Sequence, residues 1–159
     1  MKLELLEAGS EHRTVLENLM ELYLYDWSEM NEILLDDQGH YGYDYLPQYF
    51  VEPERRAFLA RADGHWAGFA LLRDLVGRTD VAEFFVARYY RRKALGTQFA
   101  RELWDRVGGS WQVRVWEGNV AAVPFWERVV SGYASRFERT VESDDEAKNW
   151  NVYRFESRR

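Results

Sequence analysis

A mixed α/β or α+β domain, with one sheet covered by helices, is predicted by three features of this 159-residue chain. There is a hairpin signature between Arg55 and Arg73, a strand–helix–strand run from Asp80 to Trp116, and a series of helical periodicities alternating with short β-rich runs. Hydrophobic residues make up 47% and charged residues 30%, which excludes a disordered chain and fits one core in a single domain spanning residues 1–159.

Lys2 to Glu7 alternates briefly and reads as the first strand. Ser10 caps a helix whose apolar positions Val15, Leu16, Leu19, Met20, Leu22 and Tyr23 recur at helical spacing, running to about Tyr25. Ser28 is a second cap and predicts a short helix ending near Leu35. The segment up to Phe50 is loop-like, and in it Tyr41, Tyr43, Tyr45 and Tyr49 mix with Asp36, Asp37 and Asp44. Such a loop could offer a cation both carboxylates and aromatic faces, which suits an amine and singles out Tyr41, Tyr43 and Asp44; the alternative is a set of rings packed on the sheet with wet hydroxyls. Arg55 to Ala62 and His65 to Arg73 are apolar-rich runs joined at Asp63-Gly64, a dipeptide that tolerates positive φ. After a turn at Val76 to Thr79, Asp80 to Ala87 is a strand. Helix signals begin at Lys93 to Gly96 and continue through Phe99, Leu103, Trp104 and Val107 to the Gly108-Gly109 stop. Ser110 to Trp116 alternates Trp111, Val113 and Val115 against Gln112 and Arg114, the mark of a half-buried strand. Asn119 opens a fourth helix carrying Ala122, Phe125, Trp126 and Val129 before Gly132; Pro124, tolerable only near the first turn, shifts its start by a residue or two. Tyr133 to Val141 and Ala147 to Glu156 are closing strands around an acidic turn, and they are candidates for pairing with a second copy in a homodimer.

The net charge of −6 disfavours a general nucleic-acid binder. With no cysteine, neither a disulfide framework nor a thiol nucleophile is possible. No run approaches the length of a membrane span, and the first residues do not have the layout of a secretion signal, so a cytoplasmic protein without a membrane partner is the simplest expectation. His12, His40 and His65 lack ligand spacing, and no metal is expected.

Val81 to Gly96, VAEFFVARYYRRKALG, is the stretch with the most chemical content. A strand that delivers backbone amides and cations to a helix start is suited to phosphate, because the first helical N–H groups lack partners and sit at the positive end of the helix dipole. Arg91, Arg92 and Lys93 supply the cations; the plain alternative is a solvated basic turn.

In that stretch, Val86 to Gly96 (VARYYRRKALG) resembles the acyl-CoA-binding segment of the GNAT acyltransferase superfamily, a strand ending in valine before a turn of form Arg/Gln-x-x-Gly-x-Gly/Ala. Ala94 stands where the first glycine is usual, and a negative φ there would still let the backbone approach a pyrophosphate. The second signature follows at the family's spacing: Val115-Trp116-Glu117-Gly118-Asn119, then Ala122, Phe125 and Gly132-Tyr133. The wording Ala82-Glu83-Phe84-Phe85-Val86, with Phe125-Trp126, is similar to a branch of predicted acetyltransferases.

The resemblance implies a GNAT-like acyl-CoA N-acyltransferase fold, with a twisted, mostly antiparallel sheet of six to seven strands flanked by about four helices. It implies acetyl-CoA as the acyl-donor cosubstrate and a small-molecule or peptide amine as acceptor. Phe84, Phe85 and Val86 would offer a backbone edge to the pantetheine arm, and Arg91, Arg92, Lys93, Ala94, Leu95, Gly96 and Thr97 would surround the pyrophosphate, with Asn119 and Phe125 completing the donor site. Direct transfer to an amine needs a base, and Glu83 beside the expected thioester is the first choice, Asp80 the second; desolvation by Phe84 and Phe85 would bring a carboxylate toward neutral pKa, whereas the alternative role is a structural ion pair. Many relatives place a tyrosine acid where this chain has Trp126, an indole that donates a hydrogen bond but not a proton; Tyr133 or another tyrosine is the candidate substitute, the alternative being a thiolate that leaves unaided. Ala94 and Trp126 also motivate a second reading, a non-catalytic acyl-CoA-binding or protein-interaction module on the same fold.

Overall fold

In the computed structural model, which describes residues 1–158, the chain runs β1 (Leu3–Glu7), α1 (Arg13–Trp27), β2 (Arg55–Ala62), β3 (His65–Leu75), β4 (Arg78–Val86), α2 (Leu95–Val107), β5 (Ser110–Trp116), α3 (Ala122–Tyr133), β6 (Phe137–Ser143) and β7 (Asn149–Glu156). Short 3-10 turns occupy Ser10–His12, Leu46–Phe50 and Arg88–Tyr90. The strands form one seven-stranded sheet in the order β1-β2-β3-β4-β5-β7-β6. Every neighbouring pair is antiparallel except β4 and β5, which the α2 crossover makes parallel.

The hairpin forms as its sequence predicts: Ala62 pairs with His65, and Asp63 and Gly64 both take positive φ, the geometry that matches the twist of the flanking strands. The next connection is tighter than expected, with Leu75 paired to Arg78 across Val76-Gly77. Each face of the sheet carries its own core. On one side, Leu16, Leu19, Met20 and Tyr23 of α1 pack on Ala57, Leu59, Phe69, Leu71 and Phe85. On the other, Leu95, Phe99, Leu103 and Trp104 of α2 and Trp126, Val129 and Val130 of α3 pack on Phe58, Val81, Trp111, Val113 and Val115. Strand alternation produces this split, since successive residues of a strand face opposite ways.

Three expectations are corrected. The helix from Ser28 to Leu35 does not form, so among the described residues three α-helices flank the sheet rather than about four. The Ser28 hydroxyl donates back to the Tyr25 carbonyl at 2.6 Å and its N–H to the Leu24 carbonyl at 2.9 Å, so Ser28 finishes α1 instead of starting a new helix. Gly132 does not stop α3, which runs on to Tyr133; a Cβ there would lie 2.8 Å from Arg101 Nη2, the mobile end of a side chain that can give way. The last strands begin later than expected, at Phe137 and Asn149.

One irregularity in the sheet positions the functional site. Leu71 pairs with Glu83 and Leu72 with Val81, leaving Ala82 as an extra residue in β4. Such a bulge bends its strand and re-aims the neighbouring side chains. The pairing of β4 with β5 covers only Thr79–Val81 against Trp111–Val113. Beyond Val81 the two parallel strands separate.

Candidate active site

The separation of β4 and β5 opens a cleft of about 340 Å³, within the size range of small-molecule sites. Its walls are Ala82, Glu83 and Phe84 of β4, Val113 to Trp116 of β5, Tyr23 and Trp27 of α1, Asn119 and Trp126 about α3, and Trp150 of β7. Among the described residues, Glu83 and Arg114 are the only charged groups lining it.

The Glu83 carboxylate accepts hydrogen bonds from the hydroxyl of Tyr23 at Oε2 and that of Tyr43, 3.3 Å away, at Oε1. Burial disfavours the charged carboxylate and pushes its pKa up to about 6, despite the lowering effect of the two tyrosine hydrogen bonds and of the Arg114 charge. Both phenols are pushed in the same direction, first by burial and then by the Glu83 charge, so they are neutral donors at physiological pH. The site therefore presents a carboxylate able to take a proton near neutral pH, held in place by two phenols.

Asp80, the second candidate base, belongs to a different constellation. It is fully buried, with Arg73 Nη2 2.8 Å from Oδ2 and Gln112 Nε2 3.0 Å from Oδ1. The structural ion pair, considered for Glu83, is formed by Asp80 instead.

The residues expected on the donor side fall along the open edge of β4 and the start of α2. Phe84, Phe85 and Val86 lie beyond the last β4–β5 pair, so their backbone edge toward β5 has no strand partner among the described residues. Their side chains diverge: Phe84 packs at 4.7 Å from the Phe99 ring and 4.9 Å from Trp126, while Phe85 is buried against Tyr23 and Phe69 on the opposite face. The first α2 hydrogen bond runs from the Gln98 N–H to the Ala94 carbonyl at 3.1 Å, which leaves the amides of Leu95, Gly96 and Thr97 in the unpaired first turn. The side chain of Leu95 is buried in the core, so only its backbone faces this role. Gly96 admits Phe125, since a Cβ there would sit 3.1 Å from Phe125 Cζ. Asn119 lines the cleft and its Oδ1 accepts from the Ala122 N–H at 3.3 Å.

Two details of the loop differ from the sequence expectation. Ala94 is left-handed, with φ +63°, and Arg92 has φ +60°; the negative φ expected at Ala94 is not adopted, and its Cβ sits in a conformation that favours glycine. The Arg91 side chain is engaged, with Nε donating to the Val86 carbonyl at 2.7 Å and Nη2 to Asp26, which also binds Arg88. Its charge is thus offset by Asp26; all three cations of the turn are exposed, and Lys93 Nζ lies 3.6 Å over the Tyr89 ring.

Tyr133 does not join the site. Its ring packs against Trp104 and Phe155, and its hydroxyl donates to Asp105 at 2.7 Å and accepts from the Arg158 N–H at 3.0 Å. The role of substitute acid is corrected on that ground. Of the loop tyrosines, Tyr43 is the one that reaches Glu83. Tyr41 is anchored by its N–H to Glu21 Oε1 at 2.7 Å, and Asp44 is exposed; neither lines the cleft.

Sequence reasoning did not single out Tyr23, Trp27, Arg114, Trp116 or Trp150 for the site. Trp27 stacks on Trp116 at 6.1 Å, Trp116 pairs in register with Trp150, and Arg114 lies 5.5 Å over the Trp150 ring. The alternation of β5 carried a signal for two of them, since Arg114 and Trp116 share the face opposite Val113 and Val115.

The family model described as Acetyltransferase (GNAT) family matches residues 16–133. A search of curated proteins finds no match by sequence. Among solved structures, an acetyltransferase from Thermus thermophilus is similar with a TM-score of 0.70 at 17% identity, over 98% of this chain and 98% of that one. The PaiA N-acetyltransferase from Thermoplasma acidophilum, solved in complex with coenzyme A, gives 0.63 at 13% identity, over 98% and 99%. A point mutant of the SpeG spermidine N-acetyltransferase from Vibrio cholerae gives 0.67 at 12% identity, over 97% and 93%.

Proposed function

Since the chain belongs to the GNAT acetyltransferase family, we propose that it transfers an acetyl group from acetyl-CoA directly to a primary amine, with Glu83 as the base. The observation that carries this reading is the placement of Glu83: a carboxylate with its pKa pushed up to about 6 lies in the cleft at the bulge where β4 parts from β5. The donor supplies an activated acyl carbon. On the protein's side, the unpaired edge of Phe84, Phe85 and Val86 and the first-turn amides of α2, with Arg92 and Lys93 beside them, are suited to an extended amide-bearing arm and a pyrophosphate. Arg91 holds the turn to Asp26 and contributes its backbone.

Glu83 accepts a proton from the acceptor's ammonium, directly or through one water, and so frees the nitrogen lone pair. Tyr23 and Tyr43 hold the carboxylate toward the cleft and keep its charged form accessible. Trp126 lines the cleft with its ring against Phe84 and takes the place of a phenolic acid, so the leaving thiolate departs without a tyrosine acid at that position. The acceptor is a small molecule or a peptide amine, and the site belongs to the cytoplasm in this reading; among the described residues no helix is long and apolar enough to cross a membrane. The exposed edge strand β6 is where two copies would pair in a homodimer.

The test is thiol release from acetyl-CoA over a panel of amines, together with calorimetric titration of acetyl-CoA. Binding with amine-dependent release is expected. Binding without release on any amine would favour the non-catalytic module, and no binding at high ligand concentration would reject both readings.

A further inference from the structure

The acceptor side of the cleft has a charge pattern that a polyamine site would not have. Among the described residues, its charged lining groups are Glu83 and Arg114, one of each sign. A polycation bound by electrostatics needs several carboxylates converging on it, and here a guanidinium occupies the place of the second. Asp80 does not fully engage that guanidinium: its short contacts come from Arg73 at 2.8 Å and Gln112 at 3.0 Å, whereas Arg114 stands at 3.4 and 3.5 Å. The Arg114 side chain is 36% exposed and lies over Trp150, a ring fixed in turn by its indole N–H donating to Asp144 Oδ2 at 2.8 Å. With its Nε–Nη2 edge turned to Asp80, the guanidinium has its Nη1–Nη2 end for a ligand, and that end is suited to a carboxylate through two parallel N–H bonds.

The rest of the wall on this face is apolar. Trp116 and Trp150 project from β5 and β7 on the Arg114 face, Trp27 stacks on Trp116, and Ile33 joins them. From this juxtaposition of one carboxylate, one loosely paired guanidinium and an aromatic wall, we infer that the acceptor is an amino acid with an aromatic or large apolar side chain: amine toward Glu83, carboxylate on Arg114, side chain among Trp27, Trp116 and Trp150. The inference rests on the acetyl-transfer reading and narrows its substrate. In the step it describes, Glu83 first receives the ammonium proton; the free amine nitrogen then bonds to the acyl carbon as the carbon–sulfur bond breaks, and the second nitrogen proton passes to the departing thiolate, which leaves as the thiol.

Matched acceptors test it, each with saturating acetyl-CoA: L-phenylalanine against L-phenylalaninamide, L-tryptophan against tryptamine, and spermidine. The amide has the less basic amine, so more of it is free nucleophile near neutral pH, and chemistry alone favours it over the acid. The inference predicts kcat/KM at least about tenfold higher for L-phenylalanine than for its amide, the value of one charge-assisted hydrogen-bonded pair. The acid-to-amide ratio falls to one or below in Arg114→Gln and lies between in Arg114→Lys, which keeps the charge and loses the fork. Arg114 is at the surface and Asp80 keeps Arg73 and Gln112, so both variants are expected to fold. Equal or better use of the amide, or an unchanged ratio in Arg114→Gln, overturns the inference. Acetylation of tryptamine or spermidine with the acids ignored also overturns it and leaves acetyl transfer standing; no release with any amine overturns both.

Discussion

Glu83 combines the chemical role proposed for it with a cost to the fold. Its carboxyl titrates near 6 in the folded chain against 4.5 for the ordinary group, because burial penalises the charge more than Tyr23, Tyr43 and Arg114 relieve it. A raised carboxylate pKa means that the folded state holds the proton more tightly than the unfolded one. Its favourable contribution is complete below about 4.5 and is lost as pH rises through 6. Glu83→Gln, which keeps one acceptor oxygen for Tyr23 and turns an NH2 toward Tyr43, whose hydroxyl can rotate to accept from it, is therefore expected to stabilise the protein at pH 7 by about 2 kcal/mol, with the gain vanishing below pH 4.5. Urea unfolding of both proteins across that range measures it, and a destabilised variant at pH 7 would show that the charge is compensated. Glu83 was legible in the sequence because it sits inside a motif, but the phenols that hold it were not. Tyr23 and Tyr43 lie 60 and 40 residues away along the chain, and helical spacing at Tyr23 says only that it is buried.

At the scale of elements, the turn between β4 and α2 carries the clearest departure from an ideal design. A left-handed Ala94 at the start of α2 costs about 1–2 kcal/mol relative to glycine through its Cβ, partly offset by the greater entropy glycine brings to the unfolded chain. Ala94→Gly is expected to raise stability by about 1 kcal/mol and to leave the first-turn amides in place. Thermal unfolding checks the first part and acetyl-CoA titration the second; lower stability would mean that the left-handed geometry does not persist in solution. Other features of these elements follow from local chemistry and were readable: β5 forms over Ser110–Trp116 as its alternation requires, and α2 stops at Gly108-Gly109, both at positive φ. Ser28 was misread because a serine at a helix boundary serves either neighbour, and only the direction of its hydroxyl, toward the Tyr25 carbonyl, decides between them. A bulge in this strand is implied by the family resemblance, but its position at Ala82 has no residue signature of its own, since it is a property of the pairing with β3.

On the scale of the whole molecule, the proposed reaction would divide its two tasks between the faces of the sheet. The face carrying α2 and α3 supplies the helix start and the Phe84–Phe125 packing of the donor side, and the face carrying α1 supplies Tyr23, Trp27 and the Glu83 carboxylate. The two meet where β4 leaves β5. Order and type of the elements around this junction were predictable from period and glycine punctuation, whereas the aromatic wall of the cleft was not, because Trp27, Trp116 and Trp150 converge only with β7 lying between β5 and β6. The central claim is that Glu83 removes the proton from the acceptor amine at this junction. Its most direct test is the pH dependence of thiol release for the protein and for Glu83→Gln, each with acetyl-CoA and an accepted amine. An acidic limb with an apparent pKa near 6, and a rate lowered by about 10²–10⁴-fold at pH 7 in Glu83→Gln, is the predicted result. A Glu83→Gln protein that keeps the full rate at pH 7, with the limb unmoved, would contradict it.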